Sequence, residues 1–318
     1  MPALGQCNRV FRRANAEMAA DASGLRDCVE AGRAYGAGRM NLLVGCTLSY
    51  DVLTPTANFT FNILANRDPY QHLGEETIHV APAVTLERTA TSKGNRVFRA
   101  EAPSGPFQVE YRATVEVSRP SAPAEVKADN PGRLPLATLT YILPSRYCEG
   151  DRFTQIAWDL FGKIPNRADQ VREICRWVDA TIAYTPGATD SRASAWDVWQ
   201  LKKGVCRDYA HLSIALCRAL SIPARYVGGY AAGLDPMDFH ACFEAYLGGQ
   251  WYLFDPSDGI APDQIVVIAR GRDAANCALT TIFGRVNAGP VKVRCEIAPA
   301  SVAPTVDGAD SEQFPASA

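Results

Sequence analysis

From residue 40 the chain alternates between apolar and small or polar positions. Val44, Cys46, Leu48, Tyr50 and Val52 are separated by Gly45, Thr47, Ser49 and Asp51, a period of two that predicts a half-buried strand. Phe59, Phe61 and Ile63 repeat it, and Phe107, Val109, Tyr111, Ala113, Val115 and Val117 carry it further. Turn-forming residues at Ser92 to Asn95 and at Pro103 to Pro106 lie between these runs, so residues 40–118 read as an antiparallel β domain. Pro120, Pro123, Pro131 and Pro135 then mark residues 119–148 as a linker and connecting segment.

After Asp151 the period becomes helical. Phe153, Ile156, Ala157 and Leu160 form one apolar stripe that stops at Gly162, and Val171, Ile174, Cys175, Val178 and Ile182 form a second. A third helix begins near Cys206 and ends before Pro223, because the residue preceding a proline is pushed out of helical geometry. Strands follow at Ala224 to Tyr230, His240 to Leu247 and Gln250 to Asp255, the last two joined by a Gly248-Gly249 hairpin turn. Helices first and an antiparallel sheet afterwards make residues 149–298 an α+β domain. Residues 1–39, rich in Ala, Arg and Gly, read as a flexible N-terminal extension with Met40 as an alternative start, and 299–318 as a disordered tail.

Composition narrows the function classes. A chain of 318 residues has room for two domains. The net charge of −2, with no Lys/Arg block, gives no field to attract nucleic acid or a lipid surface. No run of 18 apolar residues and no signal-peptide core is present, which points to a cytoplasmic protein with no membrane partner. The ten cysteines are scattered and form no CxxC pair, so neither a metal site nor a cofactor is expected. Cys46, Cys175 and Cys217 fall at apolar positions, where a free thiol behaves as a small hydrophobe.

Cys206 needs another account. In the run Lys203-Gly204-Val205-Cys206-Arg207-Asp208-Tyr209 it opens a helix. A helix start carries roughly half a positive charge, and its first N–H groups have no partner within the helix. Both favour a thiolate, and the N–H of Cys206 itself can meet the oxyanion formed when sulfur attacks a carbonyl. A base must come from four histidines. His211 is five residues on, about 140° around the helix axis from the sulfur, and His72 and His79 fall in the β domain, which leaves His240. With Gly248 and Gly249 as the turn, Asp255 lies opposite Cys242 and diagonal to His240, so His240 and Asp255 project from one side of the hairpin. A nucleophile, an imidazole and an orienting carboxylate make a catalytic triad.

The segments GVCRDYAHL (204–212), IPARYVGGY (222–230), DFHACFEAYLGGQWYLFDP (238–256) and ARGRDAANCALTTIFG (269–284) resemble the bacterial transglutaminase-like family, whose members are described as cysteine proteases. LPSRYCEGD (143–151) and the strands from Leu42 to Val117 resemble the β domain that commonly precedes it. The resemblance implies a papain-like α+β core, with the nucleophile at Cys206, the base at His240 and the acid at Asp255. Cys242 departs from the family, which often has tryptophan there; it adds a second thiol on the face of His240, read as a small buried residue or a partner for a regulatory disulfide with Cys206. Tyr184, Arg207, Arg272 and Asp273 are further candidates for the cleft, against plainer roles: core packing for Tyr184, a helix-dipole residue for Arg207 beside Asp208, and a structural ion pair for Arg272 and Asp273. Trp196 and Trp199 read as core aromatics. The expected reaction is cysteine-dependent acyl transfer through a thioester, as hydrolysis of a peptide or isopeptide bond in a peptide or protein substrate. Transfer of a glutamine acyl group to an amine, and a non-catalytic peptide-binding module on the same fold, are the alternatives.

Overall fold

In a computed structural model that describes residues 39–127, 130–257 and 259–298, the first alternating run is one long strand, β1 (Met40–Phe61). It pairs antiparallel with β4 (Arg96–Val117) along nearly its whole length. The expected break at Pro103 to Pro106 is instead a shift in register between Val52 and Thr56, with Gly105 at φ +103°. A bulge absorbs proline by bending the strand, so the turn residues mark a kink in a continuous ladder. β2 (Gln71–Ala81) and β3 (Leu86–Ala90) cover the far edge of β4.

The near edge of β1 is covered from the other end of the chain. β11 (Thr280–Phe283), β12 (Val286–Ala288) and β13 (Lys292–Ile297) pair with it in succession. The sequence reading assigns 280–297 to the C-terminal domain; in the structure these residues complete the N-terminal sheet. They read weakly because each strand is short and mostly exposed, and takes its order from β1. The expected extension over 1–38, the tail 299–318 and linker positions 128 and 129 lie outside the described residues.

Between these strands stand the helices. A one-turn α1 (Leu136–Leu139) is followed by α2 (Thr154–Phe161) and by α3 (Arg167–Thr181), which is capped by the Asn166 side chain accepting from the Ala168 N–H at 3.1 Å. α4 (Ala195–Leu201) starts in a capping box, Ser194 with Asp197, and ends at Lys202 in the left-handed region. The two-residue strands β5 (Ala183–Tyr184) and β6 (Lys203–Gly204) pair in parallel and deliver the chain to α5 (Cys206–Ala219), which is buried over most of its length. α5 packs on a four-stranded antiparallel sheet of order β10-β7-β8-β9, formed by β7 (Ala224–Ala231), β8 (Phe239–Leu247), β9 (Gln250–Phe254) and β10 (Ile265–Gly271).

The free edge of β10 would offer unpaired backbone groups. Side chains of the 62–95 region close it. Gln71 donates to the Val267 carbonyl at 2.9 Å and accepts the Val267 N–H at 2.8 Å. Asn95 does the same for Arg270, at 2.9 and 2.8 Å. Tyr230 of β7 stacks on Tyr111 of β4 and donates its hydroxyl to the Ile63 carbonyl at 2.7 Å. Beside this seam Glu244 is held by Arg225 and Arg270 at 2.6 and 3.0 Å, while Asp68 takes Arg270 at 2.6 Å and Arg119 at 3.6 Å. Burial alone would raise the Glu244 carboxyl; the surrounding guanidiniums bring it down to about 2. The two sheets thus share polar edges, a buried ion network and one apolar cluster. No helix among the described residues is long and apolar enough to cross a membrane.

Candidate active site

The β8–β9 hairpin follows the glycine pair. Gly248 and Gly249 both have positive φ, 57° and 93°, as a two-residue turn between twisted strands requires. The register runs Leu247↔Gln250 to Phe243↔Phe254, which puts Asp255 one step past the ladder on the side of His240. Their side chains meet: His240 Nε2 and Asp255 Oδ2 are 2.7 Å apart, at 2% and 1% exposure. Cys206 acts on the same imidazole and favours its charged form. The structure brings His240, from a strand, against Asp255, from the end of the next strand, and Cys206 at the helix start acts on the same ring.

The electrostatics follow from the partners. Burial opposes a charged imidazole, but the hydrogen bond and negative charge of Asp255, with a further contribution from Cys206, outweigh it and lift His240 to about 10. Asp255 is pushed up by burial and pulled down further by His240 and by the Ser257 N–H and hydroxyl, which reach Oδ1 at 3.0 and 2.9 Å. The imidazole beside Asp255 is thereby favoured in its charged form. Ser257 was missed by the sequence reading; the signal is the Asp-Pro-Ser turn, in which an aspartate bonds the backbone two residues on.

The nucleophile's surroundings come from β5 and β6. Thr185 donates its N–H to the Gly204 carbonyl at 2.8 Å, which holds Tyr184 beside the chain entering α5. Tyr184 is 53% exposed and meets the Tyr209 ring edge-on at 5.9 Å, so it lies at the surface and not in the core. Arg207 does not face solvent freely: it binds Asp208, Thr189 and the Asp190 carbonyl. Asp208, in the first turn of α5, is fully buried.

The other candidates have structural partners. Cys242 is 1% exposed in a small apolar cluster with Val227, Leu253 and Val267, and burial pushes its thiol well above the ordinary value. Arg272 reaches the Pro144 carbonyl, and Asp273 accepts from the N–H groups of Ala275 and Tyr147, each at 3.0 Å. Together they tie the 144–147 loop to the end of β10. Trp199 stacks on Trp177, and Trp196 meets Phe153 edge-on. His211 lies between the rings of Tyr147 and Tyr226, at 5.1 and 5.2 Å, and accepts the Ala274 N–H on Nε2 at 3.2 Å. His72 and His79 are exposed on β2.

A family model, the transglutaminase-like superfamily, matches residues 154–256. The crystal structure named "Putative Cysteine Protease" from Cytophaga hutchinsonii superposes with a TM-score of 0.78 at 38% identity, over 84% of this chain and 93% of that one. The chain belongs to the transglutaminase-like superfamily. An uncharacterized protein of Mycobacterium leprae is 33% identical over 135 residues, 38% of this chain and 47% of its own length. One from Mycobacterium bovis is 30% identical over 130 residues, covering 41% of its length. The chain thus spans somewhat under half of these curated relatives. The family match covers α2 to the end of β9, and so includes Cys206, His240 and Asp255, while the strand-rich N-terminal region lies before it.

Proposed function

We propose that this transglutaminase-like protein is a cysteine hydrolase in which Cys206 is the nucleophile, His240 the general acid and base, and Asp255 the carboxylate that orients the imidazole. The observation that carries the reading is the 2.7 Å contact of His240 with Asp255, on an imidazole whose charged form Cys206 also favours. The sulfur attacks a substrate carbonyl carbon, and the forming oxyanion is met by the Cys206 N–H, one of the helix-start donors with no acceptor inside the helix. His240 gives its proton to the departing amine, the C–N bond breaks, and an acyl thioester remains on Cys206. Neutral His240 then takes a proton from water as the water oxygen attacks the thioester. The acid leaves and the sulfur regains its position beside an imidazolium.

The substrate on this reading is a peptide or protein, cut at a peptide or isopeptide bond. The name carried by the Cytophaga relative supports proteolysis, and water as acceptor needs no second binding site. Peptide mixtures incubated with and without a labelled primary amine test it. Cleavage without incorporation, abolished in Cys206→Ala, is expected; incorporation at glutamine replaces hydrolysis with transamidation. A chain that does neither, and whose Cys206 reacts with iodoacetamide at about pH 6 no faster than the buried thiols, is a binding module.

A further inference from the structure

The first turn of α5 holds a buried acid to which the proposed chemistry gives no role. Asp208 is 0% exposed, two residues beyond the sulfur. Its Oδ2 accepts the N–H of Val205 at 3.0 Å and the hydroxyl of Thr189. Its Oδ1 accepts two N–H groups of Arg207, at 3.1 and 3.0 Å. The same guanidinium goes on to Thr189 Oγ1 and the Asp190 carbonyl, both at 3.1 Å. One carboxylate therefore gathers the residue before Cys206, the residue after it, and the 189–190 segment. Room for it depends on Gly204, where a Cβ would stand 2.8 Å from the Asp208 Cβ and 3.1 Å from Oδ2.

Val205 is the N-cap of α5 and has no side-chain oxygen with which to fix the helix start. Asp208 supplies the acid half of a capping box from inside the turn. By holding the Val205 N–H it sets the backbone of the residue whose next peptide carries the Cys206 N–H. The pairing with Arg207 offsets the charge of the buried acid two residues from the sulfur.

We infer that Asp208 is a positioning residue: it aims the Cys206 sulfur and N–H together and locks the 189–190 segment to them. This rests on the reading of Cys206 as nucleophile. Two small probes of the full-length chain separate aim from mere presence of the sulfur. With p-nitrophenyl acetate, a C–S bond forms to the acetyl carbon, the ester C–O bond breaks, and p-nitrophenolate leaves as an anion without needing a proton. That step uses both the sulfur and the oxyanion donor. Iodoacetamide needs only the sulfur, which displaces iodide.

The quantity to measure is the ratio of acetylation to alkylation rates at Cys206, which does not scale with the fraction folded. Asp208→Asn and Gly204→Ala are each expected to lower it by about tenfold or more. Thr189→Val removes one hydroxyl and adds no volume, so it should fold even where the others do not, and is expected to lower the ratio by about threefold. Ratios within roughly twofold of the parent in every folded variant overturn the inference and leave the nucleophile reading intact. Parallel loss of both rates with loss of near-ultraviolet circular dichroism also overturns it, as a purely structural role. A parent chain whose Cys206 takes no acetyl group overturns both readings.

Discussion

Two buried histidines, in two regions of the same α/β layer, sit at opposite ends of the titration scale. His240, at the mouth of the β8–β9 hairpin, is lifted to about 10 against the effect of its own burial, because Asp255 hydrogen-bonds it and carries negative charge and Cys206 adds to the effect. His211, one and a half turns inside α5 and 1% exposed, is driven down to about 3 by burial, which with the positive charges of Arg207 and Arg218 outweighs the opposing charge of Asp273. Its Nε2 accepts a backbone N–H and its Nδ1 meets no protein group. Burial with guanidiniums nearby therefore silences one imidazole, and burial with a carboxylate in contact charges the other. The residue type carries no function until its partner is known.

The largest test of that contrast is Asp255→Asn. The amide keeps the shape and removes the charge, so His240 should come to resemble His211: its pKa falls from about 10, which nuclear magnetic resonance titration of the imidazole would read directly. Turnover should fall by about 10³- to 10⁴-fold, as when the carboxylate of a nucleophile–histidine–acid triad is neutralised. In the parent chain the imidazolium is held until pH rises through about 10, so activity that needs His240 as a proton donor is expected to decline only as pH approaches that value. The sign for stability is the same. A raised folded-state value stabilises fully below the unfolded value of about 6.5 and the contribution is lost on the way up to the folded one. Asp255, held low, stabilises above about 3.9 and loses its contribution as pH falls through its folded value.

His211 should respond in the opposite direction. Its folded value lies below the unfolded one, so the unfolded chain binds the extra proton between about 6.5 and 3, and folding weakens as pH falls through that window. His211→Phe keeps a ring between Tyr147 and Tyr226 and cannot be protonated. It should flatten the acid side of the stability profile while costing about 1–2 kcal/mol at neutral pH, because the Ala274 N–H loses its acceptor. Chemical denaturation at pH 4.5 and 7.5 measures both. Activity per folded molecule is expected to stay near that of the parent, and a tenfold loss would mean that this ring belongs to the site after all.

What the sequence disclosed follows the same division between local and distant causes. The hairpin could be read because two glycines fix its register, and with it the side on which His240 and Asp255 stand. The start of α5 could be read because a glycine, a cysteine and a helical stripe lie next to one another. The burial of Asp208 could not, because it depends on space left by Gly204 and on Thr189, nineteen residues upstream. Nor could β11 to β13, whose order is set by an edge of β1 more than two hundred residues away. Pro103 to Pro106 misled for the same reason: turn chemistry was overridden by a partner strand that bends at the same place.

The smallest expected effect lies one contact behind the charged pair. Ser257 gives Asp255 Oδ1 both its N–H and its hydroxyl, at 3.0 and 2.9 Å, which leaves Oδ2 to face His240. Ser257→Ala removes the hydroxyl and keeps the backbone donor, so the carboxylate retains its charge and most of its orientation. A hydrogen bond to a charged group is worth about 1.5–3 kcal/mol when lost outright, and the surviving N–H should hold the cost to the lower part of that range, a fall in turnover of roughly three- to tenfold. With one donor fewer, Asp255 becomes the more basic partner, so the His240 titration should not move down as it does in Asp255→Asn. A drop in the imidazole pKa comparable to the Asp255→Asn variant would show that the turn, and not the charge, separates His240 from His211.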